Sequence, residues 1–137
     1  MKIFLVTSGA TYSTKDLSYA YSEAFAELGH EVHTYPLENT YQPLRELCRL
    51  EACLESNVKM GKANELLKDY EDRARNLSAC PIVPNIILAK PDFVVFIHGV
   101  NIPPEILQAV ALLNIPTALV LTDEPQEVNI SESYSFL

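Results

Sequence analysis

His98 closes a run of five apolar residues, FVVFI at 93–97, and is followed directly by Gly99. An imidazole at the end of a buried strand can take the proton of a substrate hydroxyl as a general base, or simply hydrogen-bond that hydroxyl. The same ring can equally be tied to a neighbouring loop carbonyl, and both readings stay open. Asp123 and Glu124, just before Pro125, are the second candidate group. Adjacent residues of an extended chain point to opposite sides, so only one of these carboxylates can face a given ligand. Asp123 joins His98 as a candidate catalytic residue, and Glu124 is a candidate substrate contact. The third group is the loop SGATYST at 8–14, where Ser8, Gly9 and Thr14 precede a helix and could meet a polar or anionic ligand. Gly99 and Asn101 face it from the other loop. The bland alternative for SGATYST is a tight turn with a helix cap.

Several chemistries are left without support. The first loop has one glycine, no GxGxxG and no Walker lysine, so the sequence calls for no nucleotide cofactor. No third acidic or histidine side chain is spaced to complete a metal site. His30 and His33 flank the start of a strand, away from this edge, and read as structural or solvated. Cys48, Cys53 and Cys80 form neither a CxxC pair nor an even disulfide set, and read as reduced thiols.

These residues need elements to hold them. Residues 2–7, KIFLVT, and 92–97, DFVVFI, are nearly continuous apolar runs, the mark of strands buried on both faces of a parallel sheet. Residues 31–35 and 117–122 supply two more strands. Leu17, Ala20, Tyr21, Ala24, Phe25 and Leu28 recur at helical spacing, with Ser13 or Thr14 as cap and Gly29 as stop. After Pro103 and Pro104, the residues Ile106, Leu107, Val110 and Leu113 repeat the pattern, and Asn114 is a left-handed stop. Between strands two and three, residues 40–89 show no strand. Leu44, Leu47, Cys48 and Leu54 predict a helix starting after Pro43, and Ala63, Leu66, Leu67, Tyr70, Ala74 and Leu77 predict another. A short helix over 82–88 follows, and the three are expected to cover one face of the sheet.

The expected fold is α/β: a Rossmann-like open parallel sheet in the order 2-1-3-4, helices on both faces, and a helical insertion between strands two and three. Right-handed crossovers put the switch point between strands one and three. The loops 8–14 and 98–103 then line one crevice. At 137 residues the chain is expected to form a single domain, 1–137. A net charge of -8 argues against a nucleic-acid partner, which is held by lysine and arginine. No apolar run is long enough for a membrane span, and a cytoplasmic location is the expectation. The run TALVLT, apolar throughout and placed at the sheet edge, predicts a homodimer through this strand or the tail.

The segments KIFLVTSG, DLSYAYSEAFAELGHEVHTY, KPDFVVFIHGVNIPPEIL and IPTALVLTDEP resemble the N-terminal domain of CgeB-like glycosyltransferases, the spore maturation protein group. The resemblance covers both ends of the chain and leaves 40–89 outside it. One departure is the TDEP ending, where the family more often has two aspartates before the proline. The resemblance implies a GT-B architecture, with an acceptor held by the N-terminal domain and a nucleotide-sugar donor held by a second domain. On that implication His98 and Asp123 would face the cleft. The competing reading is a stand-alone, non-catalytic α/β binding or interaction module. A receiver-type signalling domain does not fit, because no acidic pair follows the first strand.

Overall fold

The computed structural model describes residues 1–9, 14–63, 69–99 and 101–121. Four strands form one parallel sheet in the order β2-β1-β3-β4: β1 (Lys2–Val6), β2 (Glu31–Tyr35), β3 (Phe93–Ile97) and β4 (Thr117–Val120). This is the order expected from the sequence. β1 and β3 pair side by side with Ile3 opposite Phe93 and Val6 opposite Phe96, and both are buried almost throughout. A strand with neighbours on both edges and helices on both faces has no wet side, which is why neither run shows polar alternation.

The alternation is instead between two apolar faces. Ile3, Leu5, Val95 and Ile97 point to one side and pack against Leu17, Tyr21 and Phe25 of α1 (Thr14–Glu27). Phe4, Val6, Val94 and Phe96 point to the other and meet Ile82 and Ile86 of α4 (Ile82–Ala89) and Leu107 and Val110 of α5 (Pro104–Leu112). The β1-α1-β2 and β3-α5-β4 units run outward in opposite directions from the centre. Right-handed crossovers therefore place α1 and α5 on opposite faces.

The α1 stripe is narrower than its spacing predicts. Only Leu17, Tyr21 and Phe25 reach the sheet; Ala20 and Ala24 are exposed and Leu28 is 72% exposed. Gly29 does end the helix, at φ +85, with its own N–H bonded to Ala26 O and the His30 N–H to Phe25 O. That pair of bonds is a Schellman cap, and its left-handed position suits glycine. Asn114, at φ +55, likewise follows α5.

The helical segment differs from expectation in two ways. α2 spans Leu37–Ser56, so it begins six residues before Pro43 and carries that proline inside. The missing N–H deprives only one carbonyl of its bond, and contacts made by Leu37, Glu38 and Tyr41, all buried, hold the early turns. Second, α2 does not lie on the sheet as a covering layer. It pairs with α3 (Asp69–Ala79) around a small core of its own, Tyr41, Cys48, Tyr70 and Ala74, while Leu47 and Leu54 stay exposed. Arg45–Glu71 and Arg73–Glu51 ion pairs, both at 2.9 Å, bridge the two helices. From residues 37–89, Leu37, Ala79, Ile82 and Ile86 are the fully buried members of the sheet cluster. Leu66 and Leu67 lie outside the described residues. β4 stops at Val120, and Leu121 beyond it is 41% exposed.

Candidate functional site

All four strands point their carboxyl ends to the same edge, and the ends of β1 and β3 are joined there. After β1, Ser8 is 2% exposed and Gly9 is buried with φ +78. The Asn101 side-chain amide donates to Ser8 O at 3.0 Å. A Cβ on Gly9 would sit 3.0 Å from Asn101 Nδ2 and 3.2 Å from Leu37 Cδ2, so both backbone angle and space require glycine there. Gly99 is also buried, whereas His98 and Asn101 are half-buried. The β1 and β3 loops thus meet in a packed seam.

His98 occupies an uncommon backbone position. Its φ is +71, and the Gly99 N–H donates to Ile97 O at 2.9 Å across it, a γ-turn centred on His98. The His98 N–H continues the β3–β4 ladder to Val120 O at 2.8 Å. A non-glycine residue held in this region costs on the order of 1–3 kcal/mol, and such positions cluster at functional sites.

On the other side of β1 the edge opens into a cavity of about 170 Å³. Thr7 organises its floor. The Pro36 that precedes α2 offers no side-chain cap. The Leu37 N–H instead donates to Thr7 Oγ1 at 2.9 Å, so a strand side chain satisfies a helix end. The Thr7 hydroxyl in turn donates to the Glu38 carboxylate. Glu38 is only 8% exposed, in the first turn of α2, where the helix dipole favours an anion. Thr34, Ser18, Ser22 and Asn39 add hydroxyl and amide groups to the wall, and Tyr19 and Pro36 add apolar surface. A wider hollow of about 330 Å³ lies at the outer edge of β2, between His33, Tyr35 and α4 residues Asn85 and Leu88, and holds no carboxylate.

Of the residues singled out in the sequence, Ser8, Gly9 and Asn101 meet at the seam, and His98 and Gly99 follow β3 at the same edge. Thr14 is the first residue of α1, but its side chain lies outside the described residues, as do Asp123 and Glu124 altogether. His33 bonds Glu31 at 2.8 Å on the surface. That bond, with Lys2 nearby, holds the Glu31 carboxyl below its ordinary value. Thr7 and Glu38 were missed. The signal for Glu38 was an acidic residue two positions after Pro36, the pattern of a first helical turn; starting α2 after Pro43 concealed it.

Comparison with known protein families, curated proteins and solved structures finds no match for this chain. Among the described residues no helix is long and apolar enough to cross a membrane, and no group of three or more His, Cys, Asp or Glu could hold a metal ion.

Proposed function

We propose that this chain is the acceptor-side domain of a glycosyltransferase that uses a nucleotide-sugar donor. The observation that carries the reading is His98, held at a strained positive φ at the carboxyl end of β3, beside the switch point of a 2-1-3-4 parallel sheet. In open α/β sheets that edge is where ligands bind. In the transfer, an acceptor hydroxyl attacks the anomeric carbon of the donor and the nucleoside diphosphate leaves. Among the described residues, His98 is a group at this edge suited to receive the hydroxyl proton. Neutralising the leaving diphosphate falls to a donor-binding domain, since the described edge presents a buried carboxylate and no arginine or lysine.

One observation favours the second reading, a non-catalytic binding module: Ser8, Gly9 and Gly99 are buried in the seam, which leaves little room for a reacting group between the loops. One experiment tests the transferase reading. The chain is incubated with UDP-, GDP- and TDP-sugars, and glycan fragments are titrated into ¹⁵N-labelled protein. The transferase reading expects no nucleoside diphosphate released above a heat-inactivated control, and glycan-induced shifts at the amides of His98 and Asn101 that His98→Ala abolishes. Turnover by the chain alone, or tight binding of nucleoside diphosphates at these amides, would overturn it.

A further inference from the structure

We infer that the cavity beside Thr7 and Glu38 is a subsite for one polyol ring, a single sugar unit that presents a vicinal diol to the Glu38 carboxylate. The inference deepens the reading above by naming what this edge holds. It rests on that reading only for the ligand's biological role.

The first argument is charge and hydrogen-bond capacity. Glu38 is an acceptor at the back of a cavity, more than nine-tenths buried. Thr7 takes one of the roughly four acceptor positions of the carboxylate. A vicinal diol brings two donors in the spacing of the two carboxylate oxygens. An anionic ligand, a phosphate or a carboxylic acid, would meet this charge in a poorly hydrated place and be repelled. The second argument is the rest of the wall. The hydroxyls of Ser18, Ser22 and Thr34 each donate and accept, as ring hydroxyls do. Tyr19, 58% exposed and lining the cavity, adds an aromatic side chain against which the C–H side of a ring can pack. The third is size. At about 170 Å³ the cavity is smaller than the roughly 300–1,000 Å³ of pockets that enclose drug-sized ligands, a size that suits a single hydroxylated ring better than a whole nucleoside.

Glu38 also has a purely structural explanation, since its bond to Thr7 fastens the start of α2 to the end of β1. The experiment must therefore read ligand and not only stability. The ¹⁵N-labelled chain is titrated with D-glucose, D-mannose, D-ribose, trans-1,2-cyclohexanediol, cyclohexanol and ethanolamine, following the amides of Thr7, Ser18, Ser22 and Asn39. Saturable shifts with the diol-bearing rings, and none with cyclohexanol, are expected. Preference among the hexoses and ribose tells a free sugar unit from a nucleoside's sugar. Glu38→Gln retains an acceptor for Thr7 and should weaken binding about tenfold or more, the loss typical of a hydrogen bond to a charged group. Tyr19→Ala changes an exposed residue and should weaken it several-fold without affecting the fold, so it carries the test if Glu38→Gln unfolds. No saturable shift with any ring, equal shifts with cyclohexanol, a response to ethanolamine alone, or unchanged affinity in folded Glu38→Gln would each overturn the inference. None of these results bears on the release of nucleoside diphosphate, so the two readings fail separately.

Discussion

The central strands and the α2–α3 hairpin sit in one chain, yet they bury themselves by different means. β1 and β3 contribute Ile3, Leu5, Val6, Val94, Phe96 and Ile97, each at most 1% exposed, to clusters on both faces of the sheet. The hairpin has four buried residues in its own cluster, two of them tyrosines, and relies on ion pairs across its surface. Partly exposed pairs contribute little and weaken with salt, while buried apolar area does neither. The lesson is that the sheet sets the global stability, and the hairpin is a region able to open locally at lower cost. The carboxyl edge draws on both: the seam on the strands, and the Glu38 cavity on the point where α2 leaves the sheet.

The sharpest way to break this contrast is to compare one cavity mutation in each region. Phe96→Ala, at a position 0% exposed, should cost about 3–5 kcal/mol and lower hydrogen-exchange protection throughout the molecule. Tyr70→Ala should reduce protection in α2 and α3 and leave β1 and β3 amides unchanged. Equal losses everywhere in both variants would show that the hairpin is no separate unit.

His98→Gly should move stability in the opposite direction. Removing a side chain from a backbone at φ +71 relieves strain, and after glycine's entropic cost the gain is roughly 1 kcal/mol, read by urea unfolding. A loss instead would mean that the imidazole holds the edge together, and that the strain is a by-product of packing.

Tyr35 ties the two regions, since its hydroxyl donates to Ser78 O at the end of α3 at 2.5 Å. Tyr35→Phe should cost about 1 kcal/mol. Burial raises the phenol above its ordinary value of 10.0. Between that value and the raised one, the folded chain holds a proton that the unfolded chain has released. Stability is therefore fully present below pH 10 and falls as pH rises through the folded value. This alkaline slope should be shallower in Tyr35→Phe, and an unchanged slope would assign it to another group.

The smallest effect belongs to the hairpin surface. Arg45 reaches Glu71 through two nitrogens and lies 5.8 Å over the Tyr70 ring. Arg45→Met should cost about 0.5 kcal/mol at low salt and nearly nothing in 1 M salt, measured as hairpin protection. A salt-independent loss would point to the stacking on Tyr70 in place of the charge.

Much of this molecule was legible from residue order. Two apolar runs without alternation, each at the head of a strand–helix–strand unit, dictate parallel strands, and the fixed hand of the crossovers then allows the order 2-1-3-4 with helices on both faces. Gly29 and Asn114 announced their helix ends because local backbone sterics alone decide such positions. The meeting of Ser8, Gly9, His98, Gly99 and Asn101 at one edge followed from that topology. What the tertiary structure alone decided depends on contacts between residues distant in the chain. Pro43 stays inside α2 because Leu37 is buried against the sheet and Glu38 is held by Thr7, thirty-one positions earlier. α2 and α3 turn toward each other because their buried tyrosines find more cover there than on a sheet face already occupied by α4 and α5. The Glu38 cavity belongs to the same class: a carboxylate in a polar stretch reads as a solvated surface charge, and only the packing of α1 and α2 around the end of β1 takes it out of water.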